Sequence, residues 1–243
     1  MAAISAVAAL SAVAAHPVAG EVGRETRDDI VKQHKAESFF SAEERERIER
    51  AVESAESLTS GEIATMIVDE SDRYREAEVG GALFVAALAA LVVAVATRHV
   101  TIWTYLPLMA LLFFPARFLV RSFPRLKLPF TGRRRLSEAV RQRAVRAFFE
   151  KGLYRTRHEI GVLIFMSLLE RKVWILGDRG INAKIDPAAW QGMAAELAKG
   201  IADNRGCDAL CSIIGQCGAL LAHHFPHLSD DKNELSDQIL TEN

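Results

Sequence analysis

The chain has 243 residues, 50% of them hydrophobic and 25% charged, with a formal net charge of -1. That length excludes three domains and suits one globular domain with added elements. Its only cysteines, Cys207, Cys211 and Cys217, fall in one predicted helix, which argues against a disulfide framework and for a reducing compartment.

The mean hydropathy is slightly positive despite the charge, which points to strongly apolar segments set into polar domain sequence. Charge is also segregated. Residues 1–79 carry 9 Lys/Arg against 17 Asp/Glu, whereas residues 117–158 carry 13 Lys/Arg against only Glu138 and Glu150. A basic block of this kind calls for an anionic partner surface.

Residues 1–20 (MAAISAVAALSAVAAHPVAG) are Ala-rich and lack a basic leader. They read either as a weakly structured extension or as a signal peptide cleaved near Ala14 or Ala19. Glu21–Ser38 reads as a charged linker. Ser41-Ala-Glu-Glu44 has capping-box spacing, and Ile48, Ala51, Val52, Ala55 and Leu58 then share one helical face up to Ser60-Gly61. Glu62–Val68 (EIATMIV) is apolar on both faces, as an interior strand is.

Gly80–Thr97 contains no charge, and its length approaches the roughly 30 Å hydrocarbon thickness of a bilayer. Arg98-His99 interrupts it, and Val100–Val120 follows as a second apolar run with Trp103 and Tyr105 near its start and Pro107 and Pro115 inside. Residues 80–120 therefore read as a two-helix transmembrane hairpin. Residues 121–135 read as a basic interfacial segment. Arg117, Arg121, Arg125, Lys127, Arg133, Arg134 and Arg135 come without an acid among them, interleaved with Phe118, Leu119, Phe123, Leu126, Leu128 and Phe130. Cations on anionic headgroups and apolar side chains at the acyl boundary explain this pattern without nucleic acid.

Ser137–Gly152 reads as a helix with a Val140, Ala144, Ala147, Phe148 stripe. Gly161–Leu169 is a buried strand, Glu170-Arg171 a tight turn, and Lys172–Leu176 its antiparallel return. Asp186-Pro187 opens a helix buried along Trp190, Met193, Leu197 and Ile201, and Asp208–Phe225 is a last helix stopped by Pro226. The helix between the first two strands makes them parallel. The order predicts an α/β fold: a three-layer α/β/α sandwich with a small mixed sheet, formed by residues 39–79 and 136–228 and interrupted by the hairpin, with 229–243 as a tail.

Enzyme motifs are sparse. No nucleophile elbow, Walker loop or dinucleotide fingerprint is present, and His158-Glu159 lacks a second histidine at position 162. Asp69, Glu70 and Asp72 follow the first strand, Glu159 precedes the second and Asp178 follows the third. Strand direction makes Glu159 and Asp178 neighbours of each other rather than of Asp69, so these two are the candidate ligands for calcium or another divalent cation. Cys207, Cys211, His223, His224 and His227 offer zinc-type donors, but Cys217 falls on the stripe of Leu210, Ile214 and Leu221 and reads as a core residue.

Ser41–Val68 (SAEERERIERAVESAESLTSGEIATMIV) resembles the opening helix and strand of the TPM-domain family. Arg146–Ile181, containing AFFEKGLYRTRHEIGVLIFMSLLERKVWILGDRGI, resembles that family's later block, and His223-His224-Phe225-Pro226 its ending. The resemblance implies a membrane-associated module, because members include thylakoid-lumen proteins linked to photosystem repair and accessory subunits of membrane receptors. It also implies acid phosphatase or calcium-binding activity in some members. Where the family has an acidic pair before its first helix this chain has Phe39-Phe40-Ser41, and where it has Asp-Asn-Gly this chain has Glu159-Ile160-Gly161. Both changes remove oxygen ligands.

The reading is a membrane-tethered TPM-like interaction or assembly module without catalysis, with a weak divalent-metal-assisted acid phosphatase as the alternative. Its partners are a bilayer with anionic headgroups and another membrane protein, not nucleic acid. The positive-inside rule puts the α/β domain on the cytoplasmic side of a bacterial inner membrane, or in the periplasm if residues 1–20 are a signal peptide.

Overall fold

The computed structural model describes residues 36–98, 101–156, 159–227 and 238–241. The N-terminal extension or leader, most of the linker, His99, His158 and most of the tail lie outside these residues.

Ser41 caps the first helix, α1 (Ala42–Glu56), with the reciprocal bonds its spacing predicts. Glu44 N–H donates to Ser41 Oγ at 3.2 Å and Ser41 N–H donates to Glu44 Oε2 at 2.9 Å. Ile48, Val52 and Ala55 are buried, but the helix ends before Leu58, which stays exposed. Strand β1 (Glu62–Val68) is buried throughout. Two long helices follow, α2 (Arg75–Ala96) and α3 (Ile102–Ser122), with Pro107 and Pro115 carried inside α3. A 3₁₀ segment, Pro124–Phe130, leads into α4 (Arg133–Glu150). This helix begins a turn earlier than the sequence suggested, because arginine is a good helix former and Gly132 supplies an extended N-cap.

Strands β2 (Gly161–Ser167) and β3 (Lys172–Gly177) form the expected antiparallel pair, and β2 runs parallel to β1 with Glu62 opposite Gly161 and Val68 opposite Ser167. Short α5 (Arg179–Asn182), then α6 (Pro187–Ala202) and α7 (Gly206–His224) complete the helices. The tail is more than a tail: Leu240–Thr241 forms β4, parallel to Met66 and Ile67, so the sheet has four strands in the order β3-β2-β1-β4.

Alternation along the strands separates two cores. Ile63, Ile67, Val162, Ile164 and Met166 face α1, α6 and α7, while Ala64, Met66, Val68, Leu163 and Phe165 face α4. The fold is therefore the predicted α/β/α sandwich. Ala36 and Phe40 enter the first core, so the domain begins slightly before residue 39.

Helices α2 and α3 are long and apolar enough to cross a membrane. They pack on each other through small side chains. Ala82, Ala86, Ala90 and Ala94 of α2 are buried at four-residue intervals, and Tyr105 Oη donates to the Ala87 carbonyl at 3.1 Å.

Candidate functional site at the base of the hairpin

Parallel pairing puts the carboxyl ends of β1 and β2 at one edge of the sheet, and the chain leaves β1 there to enter the hairpin. That edge is a polar joint centred on buried Glu170. The Ser71 N–H donates to Glu170 Oε1 at 3.0 Å and the Tyr74 hydroxyl to the same oxygen at 2.5 Å. Ser167 Oγ donates to Glu170 Oε2, and the Ser71 and Ser167 hydroxyls meet at 2.9 Å. Tyr74, the N-cap of α2, holds a left-handed φ of 46°, which turns the chain away from the sheet. Burial, followed by the bond and charge of Glu170, pushes the Tyr74 phenol up from its ordinary value.

A second joint lies just above. Glu78 of α2 accepts from Arg117 Nε of α3 at 3.1 Å and lies 3.8 Å from Lys127 Nζ of the 3₁₀ segment. Lys127 also donates to the Arg73 carbonyl at 3.3 Å and is 3% exposed. Lys127 is therefore a buried partner of Glu78 rather than a headgroup ligand, because leaving Glu78 alone in this place would strand a carboxylate. Arg117 is shared between Glu78 and solvent, and Arg135 pairs with Asp72 at 3.0 Å. Arg121, Arg125, Arg133 and Arg134 remain exposed. Beside them an open groove of about 430 Å³ is lined by Arg133, Arg134, Ser137, Glu138, Arg141 and Trp174.

The candidate metal residues sit at the opposite edge. Asp178 N–H donates to the Gly161 carbonyl at 2.9 Å and Gly180 N–H to the Glu159 carbonyl at 3.1 Å, so Glu159 and Asp178 are neighbours, as strand direction predicts. Seven residues of β1 separate this edge from Asp69, a span of roughly 20 Å. Asp178 Oδ1 caps α5 by accepting from Arg179 N–H at 2.7 Å, and its Oδ2 is buried without a hydrogen bond. Burial, then the Glu159 charge, holds the Asp178 carboxyl above its ordinary range, offset in part by the Arg179 bond. Glu159 is exposed, and no group of three metal-type donors exists among the described residues. Two carboxylates, one already committed to a helix cap, do not fit a cation that takes six or more oxygens.

Cys207 and Cys211 are side-chain neighbours, but Cys217 lies apart from them and no third metal-type donor joins the pair among the described residues. Cys217 is a core residue whose thiol burial pushes up to about 12; its Sγ meets Met193 Sδ at 3.7 Å. Cys207 and Cys211 approach the Glu44 and Arg47 carbonyls.

Sequence reasoning passed over Glu170, Tyr74, Glu78 and Trp174. Glu170 read as a turn residue, although an acid directly after a strand buried on both faces is a signal of a buried acceptor. Glu78, an acid at the edge of an apolar run facing a basic one, carried a similar signal.

No protein-family model matches the chain, and no curated protein matches it. Among solved structures it is similar to the NMR structure of BA42 protein from the psychrophilic bacterium Bizionia argentinensis. That match has 21% identity and a TM-score of 0.54, and covers 86% of this chain and 99% of the other. At this identity the likeness concerns the fold.

Proposed function

We propose that the chain is an integral membrane protein, a TPM-like interaction or assembly module whose α/β domain stands on a two-helix transmembrane hairpin. The observation that carries this reading is the outward face of the hairpin. Trp103, Leu111, Phe114 and Phe118 are all more than two-thirds exposed, and the most apolar windows of α2 and α3 are only 28% and 6% buried. A core helix of a water-soluble protein hides such residues, whereas lipid accepts them. At 1.5 Å per residue the two helices measure roughly 30 Å, the thickness of the hydrocarbon layer.

The exposed arginines at the base, against Arg98 alone among the described residues of the turn, support a cytoplasmic α/β domain on a bacterial inner membrane. The rigid polar joint supports a role in presenting the domain at a fixed height to a membrane partner. The resemblance of Ser41–Val68 and Arg146–Ile181 to the TPM family supports the same class of role. A phosphatase is the second reading, resting on the resemblance to the TPM family. The unpartnered Asp178 Oδ2 is the one acid the structure offers it, and the lack of a donor set among the described residues weighs against a divalent metal in it.

Leu88→Lys with Val92→Lys tests the anchor, since both side chains point outward from α2. Each central charge opposes insertion by about 2.5–3.5 kcal/mol, so the double variant is expected to lose resistance to carbonate extraction. Full retention in the membrane pellet would remove the anchor from the proposal.

A further inference from the structure

The geometry points to the groove between α4 and β3 as a binding site for the phosphate of an anionic phospholipid, held by Arg133 and Arg134 against the Trp174 wall. This rests on the membrane reading above and makes it specific.

Among the described residues no carboxylate pairs with either guanidinium. Arg135 is taken by Asp72. Glu138, the acid lining the groove, is held bidentately by Arg141 at 3.1 and 2.8 Å and also accepts from Gln142 at 3.0 Å. Two adjacent cations with no acid to meet them repel each other until an anion arrives. Planar guanidinium forks suit a phosphate oxygen pair.

The depth of the groove selects lipid as the source. The 3₁₀ segment folds back across the base of α2: the Phe130 ring lies 5.6 Å from that of Phe84, and a Cβ placed on Gly81 would meet Phe130 at 3.1 Å. Phe123, Leu126 and Phe130 remain substantially exposed there, which marks the acyl boundary. Arg133 follows Phe130 by three residues, at most roughly 10 Å of chain. The groove therefore opens at headgroup level. Trp174 is half-buried on edge strand β3, two residues from Lys172 at the hairpin-side end of the sheet, and Lys172 Nζ donates to Ser137 Oγ at 2.8 Å. An indole at this level suits the membrane–water boundary.

The test uses the full chain in nanodiscs of phosphatidylcholine with increasing phosphatidylglycerol, reading lipid retained per protein by native mass spectrometry. Wild type is expected to enrich phosphatidylglycerol. Arg133→Gln and Arg134→Gln should each lower the enrichment about fivefold, and the pair roughly twenty- to thirtyfold, from the strength of one basic side chain at an anionic surface. Arg133→Lys with Arg134→Lys should lose a clear part of the enrichment, because an ammonium cannot fork onto two phosphate oxygens, and Arg98→Gln at the far turn should lose none. Full retention in the lysine pair would overturn a guanidinium site. Equal retention by wild type and the double glutamine variant, both inserted, would overturn the site while leaving the anchor intact. Failure of wild type to insert would overturn both. Displacement of the lipid by millimolar inorganic phosphate would overturn the lipid assignment.

Discussion

The Tyr74 hydroxyl donates to Glu170 Oε1 at 2.5 Å across 96 positions of sequence, tying the first residue of the hairpin to the turn between β2 and β3. Through this bond the orientation of two exposed apolar helices depends on a carboxylate buried in the α/β domain.

Glu170→Ala would leave the Ser71 amide and the Tyr74 and Ser167 hydroxyls without their acceptor. Buried donors stranded in this way are expected to lower stability by about 3–5 kcal/mol in total, and Tyr74→Phe by about 1–2 kcal/mol. Thermal unfolding in detergent measures both. The phenol adds a pH dependence. Its folded pKa is raised above the unfolded value of about 10, so its contribution is full below that pH and is lost as pH rises toward the folded value. The alkaline decline should be weaker in Tyr74→Phe, and an identical decline in both proteins would contradict the assignment.

Asp178→Asn keeps an acceptor for the Arg179 N–H and removes a charge that burial disfavours. Because the folded carboxyl binds its proton more tightly than the unfolded one, this group favours folding only in acid, and that favour fades as pH rises through the folded value. The variant should match or exceed wild type in stability at pH 7, with the difference narrowing toward pH 3. Phosphatase turnover in wild type that disappears in a folded Asp178→Asn variant would instead establish the enzymatic alternative.

On α7 two alanine substitutions three residues apart should act in opposite directions. A Cβ on Gly218 would sit 2.6 Å from Ala55 Cβ and 3.0 Å from Ala55 Cα, whereas one on Gly215 meets nothing within 4 Å. Gly218→Ala should separate α1 from α7 and destabilise by about 1–3 kcal/mol. Gly215→Ala should stabilise by up to about 1 kcal/mol, as glycine is a poor helix former. Chemical denaturation of the pair checks both signs, and a stable Gly218→Ala protein would show that the helices are not in contact there.

A reporter fused after Asn243 reads the side of the membrane. We expect fluorescence from a cytoplasm-only reporter and no alkaline-phosphatase activity, with the reverse result placing the domain outside. Neutralising Arg121, Arg125, Arg133 and Arg134 together should weaken this preference; Lys127→Gln should instead destabilise the fold, because Lys127 is buried against Glu78.

What the sequence made legible was local. The Ser41–Glu44 cap and the bounds of β1 each rest on residues within a few positions of one another, and so does the place of the β2–β3 turn. That turn takes four residues, Leu168–Arg171, where two were expected, because Ser167 rather than Leu169 pairs with Lys172. Lys127 was misjudged because its partner Glu78 is distant in the chain and nothing near Lys127 announces it. Strand β4 has two residues and no periodicity, and it exists only because β1 offers a free edge. The placement of Glu159 beside Asp178 was legible from strand direction alone. The capping role of Asp178 was not, since Arg179-Gly-Ile-Asn182 is too short to show a helical pattern.

The pairing of Glu62 with Gly161 has a consequence for synthesis. The two central strands are separated by about 100 residues, and both apolar helices are made between them. At about 5–20 residues per second, β1 waits roughly 5–20 s for its neighbour, with α1 already complete and its apolar face uncovered. Over that interval both apolar helices have emerged, and on the proposed membrane reading they have a bilayer to enter, while the half-made domain has no sheet to join. On that reading insertion precedes domain closure in the order of events, and a lesion that slows insertion should expose α1 and β1 to chaperones or proteases even though it alters neither.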